Sequence, residues 1–102
     1  MSGYIEIARV EEIPKNGMKR VSFGGLEILL VNADGKFYAV ENQCPHKGYS
    51  LYLGTLEGEV LTCGFHYAKF NITTGKSLEA ATHKPLKTYK VKIQNSSILV
   101  EV

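Results

Sequence analysis

The segment LEILLVNADGKFYAV, residues 26–40, contains two apolar runs separated by a turn signal. The first run, residues 26–31, is long and rich in aliphatic side chains, which is typical of a well buried β-strand. Residues 32–35, Asn-Ala-Asp-Gly, are typical turn formers. The second run, residues 37–40, is therefore predicted to pair back on the first as a β-hairpin.

Short apolar runs bounded by turn residues continue along most of the chain. The clearest alternation of apolar and polar side chains covers residues 86–93. No apolar stripe at helical spacing lasts for three turns, and only residues 50–53 are predicted to form one helical turn. Further strands are predicted at residues 4–8, 21–23, 60–62, 70–72 and 98–102. This pattern predicts a small all-β sandwich or barrel.

Length and composition exclude several functional classes. The chain has 102 residues, enough for one small domain but not for a large catalytic domain with its own substrate cavity. Its net charge is +2 and its lysines are dispersed, which argues against nucleic-acid binding. The longest aliphatic run, residues 28–31, is far short of the roughly 20 apolar residues of a membrane span. Charged residues interrupt residues 1–14, so we expect no secretory signal and a cytoplasmic location.

Two short motifs each combine a cysteine with a histidine. Cys44-Pro45-His46 is a Cys-x-His motif, and Cys63-Gly64-Phe65-His66 is a Cys-x-x-His motif. Sixteen residues, 47–62, separate them. Each motif follows a predicted strand, where a rigid sheet can position an irregular loop. The chain therefore carries four ligand-type side chains in two loops.

Three interpretations of these motifs are possible. A disulfide is disfavoured by the expected cytoplasmic location. A zinc site with two thiolates and two imidazoles is chemically sound, although zinc fingers usually group cysteine with cysteine and histidine with histidine. A zinc-stabilised binding module therefore stays an alternative. The third interpretation is a Rieske-type [2Fe–2S] cluster, in which two histidines replace two cysteines on one iron.

The spacing of the two motifs closely resembles that of the Rieske family. The resemblance extends over about residues 5–102 and is strongest to the small Rieske-type ferredoxins that serve bacterial aromatic-ring dioxygenases. Residues 66–70 and 74–76 are similar to that subgroup in particular. The other residues that carry the resemblance are Gly48, Leu51, Gly54, Gly58, Phe70, Leu86, Tyr89, Val91 and Val100.

The resemblance implies a fold and a cofactor. The fold would be an all-β, Rieske-type antiparallel β-sandwich: a single domain, residues 1–102, with a small cluster-binding subdomain, about residues 42–83, inserted in the basal β-sheet domain. The cofactor would be one [2Fe–2S] cluster. Cys44 and Cys63 would bind one iron, and His46 and His66 would bind the other through their Nδ1 atoms.

The resemblance also implies a function. With four protein ligands the cluster has no open position for substrate, so the chain would be an electron-transfer protein and not itself an enzyme. It would pass single electrons from a reductase to a terminal oxygenase or another oxidoreductase through transient contacts, without nucleic acid or membrane. The alternative within the family is a Rieske-like small subunit of a larger oxidoreductase such as nitrite reductase.

The residues around the motifs predict a low reduction potential. High-potential Rieske proteins have a disulfide between the ligand loops, where this chain has Tyr49 and Phe65, which we expect to pack together. They also have a serine and a tyrosine that donate hydrogen bonds to sulfur, where this chain has Ala68 and Phe70. Without these donors the added electron is less stabilised, so we predict a potential near about −150 mV.

The surface around the cluster is the expected docking site. The candidate contacts are Lys47, Tyr49, Tyr67 and Lys84, and the mildly basic chain favours acidic partner surfaces. His83 is the one histidine outside the two motifs, and we expect it to be a solvent-facing loop residue.

Overall fold

The computed structural model describes residues 3–43, 50–62, 69–76, 78 and 86–101. Within these ranges the chain forms β-strands and two short 3₁₀ turns, Val10–Glu12 and Leu51–Leu53. The strands are β1 (Tyr4–Arg9), β2 (Met18–Phe23), β3 (Leu26–Ala33), β4 (Lys36–Glu41), β5 (Thr55–Glu57), β6 (Val60–Thr62), β7 (Lys69–Asn71), β8 (Thr88–Tyr89), β9 (Val91–Gln94) and β10 (Ser97–Glu101).

The strands form three antiparallel sheets. The first has the order β1-β10-β9, the second β2-β3-β4-β8, and the third β5-β6-β7. The strands of the third sheet lie between β4 and β8 along the chain, although β4 and β8 are neighbours in the second sheet. The prediction of an all-β fold is confirmed. In the part of the chain that the structure describes, no helix is long and apolar enough to span a membrane.

Strand β3 is buried on both of its faces. Ile28 and Leu30 belong to one apolar core, which they share with residues of β1 and β10. Leu29 and Val31 belong to a second core, which includes residues of the third sheet. Because successive side chains of a strand point to opposite faces, a strand between two cores must be apolar at every position. This explains the continuous apolar run that the sequence shows at residues 28–31.

The predicted hairpin at residues 26–40 is confirmed. All of β4 pairs with residues 28–33 of β3, and Asp34 and Gly35 form the turn with φ of 55° and 94°. The Asn32 side chain fixes this turn: its Oδ1 accepts a hydrogen bond from Gly35 N (2.8 Å), and its Nδ2 donates one to Ile13 O (3.0 Å). A side chain that satisfies the turn backbone is the usual role of asparagine at this position.

Two sequence predictions are corrected by the structure. The predicted continuous strand 86–93 is two strands, because the chain leaves β4 after Tyr89 and joins β10 at Val91. Apolar and polar side chains continue to alternate where the chain changes sheet, so the sequence pattern does not indicate the break. Strand β5 is not among the strands that the sequence pattern predicts. The predicted helical turn at residues 50–53 is present as the 3₁₀ turn Leu51–Leu53.

Candidate cluster-binding site

The four predicted ligands, Cys44, His46, Cys63 and His66, lie outside the described residues, as do Lys47, Tyr49, Tyr67, His83 and Lys84. Their geometry, and the extent of a subdomain at residues 42–83, therefore stay predictions. The structure does describe the residues that flank the two motifs. We call residues 44–49 the first ligand segment and residues 63–68 the second ligand segment.

Asn42 closes the base of the first ligand segment. It directly follows β4 and is only 4% exposed. Its Nδ2 donates a hydrogen bond to Ser50 Oγ (2.9 Å), and its Oδ1 accepts one from Tyr52 N (2.8 Å). The residues on either side of the first ligand segment are therefore joined through one buried side chain.

The same asparagine is tied to β3. Its backbone N–H donates to Glu27 O (2.9 Å), and its Nδ2 also donates to Glu27 Oε1 (3.2 Å). Both amide protons and the carbonyl oxygen of the side chain thus have partners, as a buried polar group requires. Asn42 consequently links the first ligand segment to the strand that carries both cores.

The second ligand segment is the connection between β6 and β7. Thr62 pairs with Lys69 at its base, and Leu61 pairs with Phe70 one step further from it. Leu61 and Phe70 are fully buried in the core that also contains Leu29. The ends of this segment are therefore held by a hairpin whose apolar pair is anchored in the interior.

Gly54 brings the bases of the two segments into contact. Its backbone N–H donates to Leu51 O (2.9 Å), and its α-carbon approaches the carbonyl group of Thr62. A Cβ atom at this position would overlap the Thr62 oxygen and lie 3.0 Å from the Thr62 carbonyl carbon. Because Thr62 directly precedes Cys63, the chain that leaves the first segment touches the chain that enters the second.

Residues beyond β7 return to the same region. Gly75 adopts a φ of 78°, and Leu86 N donates a hydrogen bond to its carbonyl oxygen (2.6 Å). A side chain on Gly75 would both strain the backbone and overlap the Leu86 carbonyl. Leu78 N donates to Lys69 O (2.8 Å), at the base of the second ligand segment. The connection between β7 and β8 is thus also tied at its base.

The donor set and the geometry of the bases fit a Rieske-type cluster. Two thiols and two imidazoles occupy two segments whose bases are held against each other, which suits a group that draws one ligand pair from each segment. In the ranges that the structure covers, no three His, Cys, Asp or Glu side chains are grouped so as to hold a metal ion. The described residues therefore offer no competing metal site.

Comparison with known proteins decides between the interpretations. The model of the Rieske [2Fe-2S] domain family matches residues 3–90. The chain belongs to the Rieske family. Its cofactor is a Rieske-type [2Fe–2S] cluster, which has two cysteine and two histidine ligands, and the zinc alternative is wrong. The protein is an electron carrier of an oxidoreductase system and not itself a catalyst.

Curated Rieske relatives align with the chain over nearly its whole length. The ferredoxin component of the naphthalene 1,2-dioxygenase/salicylate 5-hydroxylase systems of Ralstonia sp. is 34% identical over 97% of this chain and 95% of its own. The biphenyl dioxygenase ferredoxin subunit of Pseudomonas sp. (strain KKS102) is 33% identical over 96% of this chain and 91% of its own.

Solved structures show the same fold. A chain in the complex of reduced oxygenase and oxidised ferredoxin of carbazole 1,9a-dioxygenase superposes with a TM-score of 0.89 at 28% identity, covering 95% of this chain and 91% of that one. The Sphingomonas yanoikuyae B1 ferredoxin gives 0.91 at 24% identity, covering 98% and 99%. A nitrite reductase small subunit gives 0.81 at 21% identity, covering 96% and 97%, and this likeness shows the fold alone.

The sequence missed two residues of the site. The family resemblance includes Gly54 without indicating its role, and the sequence pattern predicts no role for Asn42. Asn42 does carry a signal: it is a polar residue placed directly after an apolar strand and two residues before a ligand-type cysteine. Its hydrogen bonds to Ser50 and Tyr52 bridge eight and ten residues, a closure that no local pattern encodes.

Proposed function

We propose that this Rieske protein is the ferredoxin component of an aromatic-ring dioxygenase system, carrying single electrons from a reductase to a terminal oxygenase. The observation that carries the proposal is the match to two such components, each at one third identity and over more than 90% of both chains. Its contacts with the two partners would be brief, since a carrier must leave one partner to reach the other.

We assign the cluster ligands residue by residue. Cys44 and Cys63 would hold one iron, and His46 and His66 the other. The family match, the spacing of the motifs and the contact of Gly54 with Thr62 support this assignment. The bound cluster would accept and release one electron.

The chain's own residues would hold the ligand segments in place for this transfer. Asn42 and the β6–β7 hairpin fix the ends of the segments. Because four protein ligands fill the coordination of both irons, substrate would bind to the partner enzyme and not here. The proposed location is the cytoplasm, where cysteine ligands stay reduced.

The ligand assignment is tested by anaerobic purification, iron and sulfide analysis, and EPR spectroscopy after reduction with dithionite. We expect two irons and two sulfides per chain and a rhombic signal. His66→Ala should lose this signal, whereas the matched variant His83→Ala should keep it. Two irons and an unchanged spectrum in His66→Ala would contradict the assignment.

Electron transfer is tested with purified partners. The reduced protein is mixed with the terminal oxygenase of the naphthalene 1,2-dioxygenase system of Pseudomonas putida, which a 32% identical relative serves. Reoxidation should follow second-order kinetics. Its rate constant should fall as the salt concentration rises, because a basic protein is expected to dock on an acidic surface. A protein that holds its cluster but transfers no electron to this or any other ring-hydroxylating oxygenase would refute the proposed partner.

A further inference from the structure

An arginine–tyrosine pair lies beside the base of the first ligand segment. Arg20 projects from β2, and its guanidinium carbon is 5.2 Å from the ring centroid of Tyr52. Tyr52 lies in the 3₁₀ turn Leu51–Leu53 and is 40% exposed. Its backbone N–H is bound to Asn42, two residues before Cys44. The pair is therefore positioned by the same residue that closes the ligand segment.

The register of the sheet explains why Arg20 points towards this turn. Arg20 pairs with Leu29 across β2 and β3, so the two side chains lie on the same face of the sheet. Leu29 shares its core with Leu51, the neighbour of Tyr52. The preceding residue, Lys19, points to the opposite face and is 3.8 Å from the carboxylate of Glu12.

No carboxylate of the described residues forms an ion pair with Arg20. Ion pairs among the described residues are Arg9–Glu11, Lys15–Asp34 and Lys19–Glu12, and none of them includes Arg20. A guanidinium that stacks on a ring keeps its N–H groups at its edge, where they can bind a carboxylate through two parallel hydrogen bonds, in a bidentate geometry. Stacking also restricts the long side chain, which lowers the entropy lost when it binds.

We propose that the Arg20–Tyr52 pair is a docking point for a surface carboxylate of the terminal oxygenase. This inference rests on the proposed function and places part of the docking surface on β2, outside the ligand segments. An exposed aromatic ring with an arginine is the kind of pair that dominates protein interfaces. The carboxylate is preferred because the stacked guanidinium takes part in none of the ion pairs among the described residues and because the chain carries net positive charge.

The test compares two variants of Arg20 with a control variant at another exposed cation. Arg20→Gln removes the proposed contact, and Arg20→Lys keeps the charge but cannot bind the carboxylate in a bidentate geometry. Lys36→Gln is the matched control, because Lys36 is exposed at the start of β4. The six residues of that strand place it about 20 Å from Asn42. Each protein is reduced and mixed with the terminal oxygenase named above at several ionic strengths.

At low salt we expect Arg20→Gln to lower the second-order rate constant by about three- to tenfold, with Arg20→Lys in between. Lys36→Gln should stay within about twofold of the wild type, and the differences should shrink at high salt. Equal rates for Arg20→Gln and Lys36→Gln would overturn the proposal. So would a changed EPR spectrum or midpoint potential in Arg20→Gln, because Arg20 would then act on the cluster site itself.

A second probe separates this inference from the proposed function. Voltammetry on a gold electrode coated with a carboxylate-terminated monolayer measures electron transfer to an acidic surface without any oxygenase. Arg20→Gln should again be slower than Lys36→Gln. If the wild type reacts with the electrode but not with the oxygenase, the proposed partner is wrong and the electrode still decides the role of Arg20. The rate at which the reductase reduces each variant is measured in the same way. If this is the only reaction with a partner protein that Arg20→Gln slows, the choice of the oxygenase as partner is refuted.

Discussion

Substitution of Gly54 by alanine should damage the cluster site more than the rest of the fold. Gly54 has a φ of −88° and a ψ of −162°, which any residue can adopt, so alanine causes no backbone strain there. The constraint is space. The added methyl group would overlap the Thr62 carbonyl oxygen and lie 3.2 Å from Leu51 O. Both neighbours are backbone atoms and cannot rotate away.

The size of the effect follows from these contacts. To restore normal separation, either Thr62 or the turn that ends at Gly54 must move away by more than about 1 Å. Overpacking of this kind typically costs about 1–3 kcal/mol. For a domain of this size, that corresponds to a loss of about 5–20 °C in the thermal midpoint. Because Thr62 precedes Cys63, the displacement should also move this proposed ligand relative to the first ligand segment.

The assay measures iron and sulfide per chain, the EPR line shape after reduction, and thermal unfolding of the holoprotein. Gly54→Ala should contain less cluster, with broadened or shifted g values, and should unfold earlier. Gly3→Ala is the control, since no atom lies within 4 Å of a Cβ at that position. If Gly54→Ala matched Gly3→Ala in iron content, line shape and thermal midpoint, the inferred contact between the two segments would be wrong.

Four further predictions concern particular side chains and the reduction potential. Asn42→Ala removes three side-chain hydrogen bonds. It should lower the free energy of unfolding by about 2–4 kcal/mol and should also lower the cluster content. Asn32→Ala, which removes two such bonds in the remote β3–β4 turn, should lower the thermal midpoint while the iron content of the folded protein stays intact. A redox titration should place the midpoint near about −150 mV, and Phe70→Tyr, by adding a hydroxyl donor, should raise it; a wild-type midpoint above zero would contradict the argument. Burial, with a smaller contribution from Glu41, raises the pKa of Tyr89 above 10.0, so its contribution to stability is complete below pH 10 and falls as the pH rises further. Unfolding by urea should therefore show a shallower alkaline decline in Tyr89→Phe, and parallel curves for the two proteins would refute this.

The parts of the fold that the sequence predicts well are those where local pattern and burial agree. The hairpin at residues 26–40 has strong turn residues and an apolar run that two cores require, so both signals point to the same structure. The spacing of the cysteine and histidine motifs likewise predicted the family correctly, because the ligand chemistry restricts residue type and separation.

The parts that the sequence did not predict depend on distant contacts. The strand at residues 86–93 breaks at Lys90 because β8 pairs with β4 while β9 pairs with β10, and no local pattern reports which sheet a strand joins. Strand β5 has only three residues and forms because β6 lies beside it. The role of Asn42 is set by Ser50, Tyr52 and Glu27, each far from it along the chain.

The three closures at the bases of the connections suggest how this Rieske protein does without a disulfide between its ligand loops. Both of its cysteines are assigned to iron, so the loops must be held by other means. Asn42, the Thr62–Lys69 pair and the Leu86–Gly75 hydrogen bond each close one connection, and Gly54 packs two of them together. Closing a loop costs entropy that grows only slowly with its length. That cost is offset by core packing under the loops, where Leu61 and Phe70 are fully buried. We therefore expect burial in the third sheet to hold the bases of the ligand segments without a disulfide, so that both thiols can bind the cluster.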